Sequence, residues 1–372
     1  MKFAAAQDFA RLVVNHCCRV RSGDLVTIVA DPAQMDHVES VFVAVLDAGG
    51  HPTLHPRSER LRALTLTRGS DAQIQHISPF EEHRLRTCDV LIVLHAPATP
   101  SDSLSPPIDA RKAAMMQAAR TGIMAMSMDR AARGEMRYCL AEFPSLAAAH
   151  AAGMIEHDYV DFVTRAAMLH LPDPIAAWRE LDAMHSRLIA QLSNARELRF
   201  RTDDGGTDLR VDVTGRGWIS CAGSENFPDG EVFTGPRSAD GFVSFTHPVS
   251  HAGVTMSGVR LTFRDGRTVD AHAATNESHL IALLDTDAGA RSLAEIALGT
   301  HPHIDRFTNN PFFDEKILGT FHIGLGAGYP ATGNTNRSGL HWDMVCDLRN
   351  GGTIETDGIM IQRDGHFGES IA

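Results

Sequence analysis

The spacing of apolar positions changes near residue 195, and the change divides the chain in two. Before it, helical and strand-like runs alternate. Phe9, Leu12, Val13 and Cys17 fall at helical spacing within residues 5–20, and Leu25–Ala30 is a short, wholly apolar run of buried-strand type. A helix is predicted from Asp36 to Leu46, closed by Asp-Ala-Gly-Gly, where glycine supplies a left-handed cap. His51–His55 reads as the next strand, followed by strand Val90–Leu94, helix Ile108–Arg120 and strand Ile123–Met128. From Leu146 to Leu192 the pattern is helical, broken at Gly153 and at Leu171-Pro-Asp-Pro. Its last segment, Ala176–Leu192, carries Leu181, Met184, Leu188 and Leu192 on one face and reads as the connection between the halves.

After Asn194 the period becomes two. Glu197–Thr202, Thr207–Val213 and Gly258–Val269 alternate apolar and polar residues, with Asp-Gly turns between strands. One helix is predicted to interrupt them, from Ser278 to Leu298. The expected fold is therefore an α/β domain with a mostly parallel sheet over residues 1–194, and an α+β domain rich in antiparallel strands over 195–372. No Gly-x-Gly-x-x-Gly follows the first strand, so a dinucleotide site is not indicated.

Composition narrows the function classes more than it selects among them. Acidic residues outnumber basic ones, 46 to 34, and a net charge of −12 argues against nucleic acid or an anionic membrane as partner. No run approaches the roughly 20 apolar residues of a membrane span. Charged residues come too early in the chain for a signal peptide's apolar core. The six cysteines form no Cys-x-x-Cys pair and sit in apolar or mixed segments, as buried thiols of a reducing compartment do. These features imply a cytoplasmic location.

The candidate chemistry lies in the second half. His341 and Asp343, two apart in an alternating segment, point to one face of a strand, a pairing that suits a divalent metal and also an ordinary solvated strand. Pro228-Asp-Gly presents Glu231 at the mouth of Val-Phe-Thr, as ligand, base or solvated glutamate. Glu295 sits among apolar neighbours at what reads as a helix end, either on a narrow polar stripe with Arg291 or buried beside a cation. Two histidines with three carboxylates is the donor count for a pair of metals, and Tyr329 is placed to donate a hydrogen bond to an oxyanion or to serve as a core tyrosine. His301-Pro-His-Ile-Asp305 reads as the wall of a cavity, and Gly324-x-Gly-x-Gly328 as close backbone packing. There is no Gly-x-Ser-x-Gly elbow, His-Glu-x-x-His helix or Walker loop.

Four motifs occur in order: Asn226-Phe-Pro-Asp-Gly-Glu-Val-Phe-Thr-Gly-Pro236, Leu293-Ala-Glu-Ile-Ala-Leu-Gly299, His322-Ile-Gly-Leu-Gly-Ala-Gly-Tyr-Pro330 and His341-Trp-Asp343. With them the chain resembles the aminopeptidase T / aminopeptidase S family of dinuclear metallopeptidases, and the likeness extends to Ser-Gly-Asp-Leu-Val and Asp-Ala-Gly-Gly-His-Pro near the start. The resemblance implies Glu231, Glu295, His322, His341 and Asp343 as metal ligands, with Glu295 bridging or handling the proton and Tyr329 catalytic. It further implies two zinc or cobalt ions (manganese being a third option), a bridging hydroxide, short peptides or small amides as substrates, and a homodimer. The spacing from Phe313-Asp-Glu-Lys to His322 is longer than in better-known members, and Trp342 lies inside the His-x-Asp motif. 2,5-Dihydroxypyridine 5,6-dioxygenase resembles the same scaffold with one iron(II) on two histidines and an aspartate. Such a site has no use for Glu231 and Glu295, and the presence of both favours the hydrolase.

Overall fold

The computed structural model describes residues 4–95, 109–251, 254–369 and 371. Its chain forms two compact units, Met1–Ile175 with Gly223–Pro228, and Ala176–Ala222 with Asp229–Ala372. The sequence pattern places the change at 194/195. The structural division comes at 175/176, because Leu188 and Leu192 of the helix Pro174–Leu192 are buried in the core of the second unit.

In the first unit, strands Leu25–Ala30, His51–Pro56, Val90–His95, Arg137–Glu142 and Asn226–Phe227 form one parallel sheet, with helices as its connections. The N-terminal helical segment runs as Ala6–Arg11 and then widens to a π-type turn over Leu12–Cys17. One expectation is overturned here. Ile123–Met128 is not a strand but part of the helix Ala110–Ala132, and the strand comes later, at Arg137–Glu142. Alanine and methionine are strong helix formers, and Met124 and Met128 are exposed rather than sheet-buried. Residue Ile108, the predicted start of that helix, lies outside the described residues.

The second unit holds an eight-stranded antiparallel sheet and a five-stranded antiparallel sheet. The predicted Arg-Asp-Gly-Arg hairpin joins Arg260–Arg264 to Arg267–His272, with Asp265 and Gly266 both at positive φ, the two-residue turn that matches strand twist. The long helix predicted over Ser278–Leu298 is also overturned. A helix spans Glu277–Leu284 only, and Leu293–Gly299 is a strand buried at every position. A strand buried on both faces carries no period, so its apolar run resembles a helical one.

The five-stranded sheet positions the site. In spatial order its strands are His341–Asp347, Thr320–Gly326, Leu293–Gly299, Glu231–Thr234 and Ile219–Cys221. One face carries Val232, Ile296, Leu298, Phe321, Ile323, Leu325, Trp342 and Met344 into the core of the unit. Alternation therefore turns Glu231, Glu295, His322, His341 and Asp343 to the other face. All six cysteines are buried and none is joined in a disulfide. Among the described residues, no helix is long and apolar enough to cross a membrane.

Candidate metal centre

Four neighbouring strands each contribute to one cluster. Glu231 opens its strand and is 5% exposed, so it is not the solvated turn residue that its position also allowed. Glu295, on the central strand, is 4% exposed. Gly324 lies opposite Glu295 on one side and Asp343 on the other. His322 lies opposite Ala297, two residues along. Small residues beside the large polar ones leave room on this face. A Cβ at Gly324 would sit 2.6 Å from Asp343 Oδ1 and 2.9 Å from Glu295 Cβ, so no side chain fits there. That is the close packing expected of the glycine run.

The polar atoms converge in two groups joined by one carboxylate. His322 Nε2 is 3.4 Å from Glu231 Oε2 and 3.5 Å from Glu295 Oε1. His341 Nε2 is 3.7 Å from Glu295 Oε2 and 3.2 Å from Asp343 Oδ2. Glu295 thus offers one oxygen to each imidazole. Tyr329, half-exposed after the Thr320–Gly326 strand, has its hydroxyl 3.4 Å from His341 Nε2 and its ring edge-on to Phe233. His341 Nδ1 donates to the Ala327 carbonyl at 2.9 Å, which turns Nε2 toward the cluster. The structure therefore brings together all six residues singled out from sequence. His301 is buried against Trp178 and packed behind the Gly230 turn, beside Glu231.

Two further residues belong to the cluster and escaped the sequence reading: Glu315 and Lys316. Lys316 is 2% exposed, and its Nζ lies 2.6 Å from Glu231 Oε1 and 3.2 Å from Glu315 Oε2. Ligand-capable atoms of Glu231, Glu315 and His322 lie within 4.8 Å of one another, as do those of Glu295, His341 and Asp343. The signal was a charged triplet, Asp314-Glu-Lys, set between Phe312-Phe313 and Ile317-Leu318. Such charged runs are usually solvated, and the burial of this one comes from tertiary packing.

The electrostatics describe a site short of positive charge. Burial alone would lower both imidazoles, but Glu295 and Glu231 raise His322 to about 9, and Asp343 raises His341 to about 10. Burial raises Glu295, and it raises Glu315 to about 7. Burial would also raise Asp343, but the His341 beside it holds the carboxyl below its usual range. Glu231 Oε2, His322 Nδ1 and Asp343 Oδ1 are buried without a hydrogen-bond partner. Carboxylate oxygens and imidazoles with unused lone pairs, converging at metal-ligand spacing, fit one or two divalent transition ions.

Residues 4–367 match the thermophilic metalloprotease (M29) family, and the chain belongs to that family. It is 34% identical over 183 residues to aminopeptidase 2 of Geobacillus stearothermophilus, covering 45% of this chain and 44% of that one. It is 31% identical over 204 residues to aminopeptidase T of Thermus thermophilus, covering 50% of each. The chain thus spans about half the length of these curated relatives. Over 97% of its length its structure superposes on that of wild-type AmpT from Thermus thermophilus, over 98% of that chain, with TM-score 0.81 and 22% identity. The 2,5-dihydroxypyridine dioxygenase of Pseudomonas putida KT2440 shares the fold at TM-score 0.65 and 13% identity, each chain covered in full.

Proposed function

We propose that the chain is a metal-dependent aminopeptidase that hydrolyses the N-terminal bond of short peptides or a related amide. The observation that carries this reading is the position of Glu295, whose two oxygens face two separate imidazoles. Glu231 and His322 would hold one ion, His341 and Asp343 a second, with Glu295 shared between them. Divalent zinc, cobalt or manganese in such a pair supplies Lewis acidity toward a carbonyl and a hydroxide at neutral pH.

The chain's own groups supply the rest. Glu315 is raised to about 7 by burial, which suits a carboxyl that takes a proton from water and passes it to the leaving nitrogen. Both oxygens of Glu295 face imidazoles, at 3.5 and 3.7 Å, which favours Glu315 over Glu295 for the proton transfer. Burial and the surrounding carboxylates push the Tyr329 hydroxyl well above its ordinary value, so it stays protonated and able to donate to a developing oxyanion. The matched aminopeptidases support peptides as the substrate class, and the family resemblance supports a homodimer.

The test is release of p-nitroaniline from amino-acid p-nitroanilides by the full chain, stripped with chelator and reloaded with zinc, cobalt or manganese. Activity that vanishes on stripping and returns on loading supports the reading. Hydrolysis unaffected by stripping, or a single tightly bound iron with cleavage of a hydroxylated pyridine and none of peptides, would overturn it.

A further inference from the structure

Tyr329 lies on no strand. It comes three residues after the strand Thr320–Gly326 and leads into a single helical turn, Pro330–Thr332, that ends at Gly333 in the left-handed region. Pairing within the sheet therefore does not fix where its hydroxyl points, and another contact must hold the loop. Asn334 supplies it. Its side chain is buried at 8% exposure. Nδ2 donates to the carbonyls of Pro236 at 3.4 Å and Leu293 at 3.2 Å, and Oδ1 accepts from the Asn336 N–H at 3.0 Å. Two carbonyls on one side and an N–H on the other admit only one orientation of the amide. Leu293 opens the strand that carries Glu295, and Pro236 lies two residues beyond the strand that carries Glu231.

The backbone is cut away around this amide. A Cβ at Gly235 would lie 2.4 Å from Asn334 Cβ and from Thr332 Oγ1. One at Gly328, the residue before Tyr329, would lie 2.3 Å from Asn334 Oδ1. Thr332, 1% exposed, donates its hydroxyl to the Tyr329 carbonyl at 2.7 Å. We infer that Asn334, with Thr332 beside it, is a positioning residue for Tyr329. It ties the tyrosine's loop to the two strands that bear the glutamates, so that the hydroxyl keeps its place 3.4 Å from His341 Nε2. This rests on the oxyanion role given to Tyr329 above. A reacting group misplaced by about 1 Å costs up to about 100-fold in rate. Glu231, Glu295, His322, His341 and Asp343 are held by sheet pairing and do not depend on this contact.

The experiment is a double-mutant cycle on the metal-loaded full chain, with kcat and KM measured on leucine p-nitroanilide. Bound metal is counted after desalting, and hydrogen exchange of residues 327–336 is followed in the stripped chain. Asn334→Ala is expected to lower kcat about tenfold with KM within about twofold of native, and to bind as much metal as the native chain. Exchange in that segment should quicken about tenfold or more. In a Tyr329→Phe background the same substitution should change kcat by less than about twofold, because the contact it positions is already gone. Thr332→Val is expected to act in the same way more weakly, about threefold in kcat, and carries the test if Asn334→Ala does not fold. An equal loss of kcat with and without the tyrosine hydroxyl would overturn the inference. So would a variant that melts lower but keeps native kcat and native exchange, which makes Asn334 a stabilising residue only. If Tyr329→Phe itself keeps native kcat, the role of the tyrosine falls and the inference with it. A native chain that hydrolyses no p-nitroanilide with any metal removes the peptidase reading beneath both, a different and recognisable result.

Discussion

Glu231 occupies a turn mouth, a position that reads as dispensable to the fold, yet it is buried and is the nearer partner of a buried ammonium. Truncation and neutralisation should therefore differ. Glu231→Gln removes the charge but keeps the shape and an acceptor for the Lys316 ammonium, and is expected to lower hydrolysis at least 100-fold with a smaller fall in melting temperature than Glu231→Ala. Glu231→Ala strips Lys316 of its closest counter-charge, a loss worth about 3–5 kcal/mol for a buried pair, and should also lower the melting temperature. Equal melts for the two variants would detach Lys316 from Glu231. At Tyr329, removal of the hydroxyl in Tyr329→Phe is expected to lower kcat roughly 100-fold while KM stays near its native value, the pattern of a contact made only in the transition state. An unchanged kcat removes the tyrosine from that role. Gly324→Ala places a methyl group 2.6 Å from Asp343 Oδ1. It should cost about 1–3 kcal/mol of stability as an overpacked site and weaken metal binding at least tenfold. Metal affinity equal to the native chain's would mean that the strands yield instead.

At the scale of elements, His185 ties the helix Pro174–Leu192 to the sheet region. Its Nδ1 is 2.9 Å from Ser220 Oγ and its Nε2 2.7 Å from Thr300 Oγ1. Burial lowers this imidazole to about 4. As pH falls below the ordinary histidine value near 6.5, the unfolded chain takes up a proton that the folded chain refuses. Stability is therefore complete above that value and is lost as pH drops toward 4. Between pH 7 and 5 the loss is about 2 kcal/mol, measurable by urea unfolding, and His185→Gln should flatten that slope. A slope identical in the variant would assign the acid sensitivity elsewhere. The elements also explain what could be read from sequence. Leu25–Ala30 and Val90–His95 were legible as short, largely apolar runs of strand length. Leu293–Gly299 was not, because a central strand buried at every position loses the alternation that marks strands. Glu295 was accordingly singled out on the wrong element. Its chemistry was legible all the same, since a carboxylate among apolar neighbours needs a cation whichever element carries it. Lys316 stayed hidden because Glu231, 85 residues earlier, meets it only through tertiary packing, and no spacing along the chain encodes that pairing.

At the scale of the molecule, the donor atoms all belong to one of two compact units. Metal should therefore act on that unit's unfolding and leave the other's largely alone. In calorimetry of the stripped chain, added metal at about 100 times its dissociation constant is expected to stabilise one transition by about 2.7 kcal/mol. Two transitions that shift together by the same amount would show that the units unfold as one. The ligands stand on four adjacent strands, and each projects from the same pleated face. A slip of one residue in Thr320–Gly326 would exchange His322 and Gly324 for Phe321 and Ile323, turning an imidazole into the oily interior and greasy rings toward the carboxylates. A chain so misaligned keeps Glu231, Glu295, His341 and Asp343 but loses the imidazole that faces both glutamates. Metal affinity would then report on strand alignment as well as on the chemistry of the side chains.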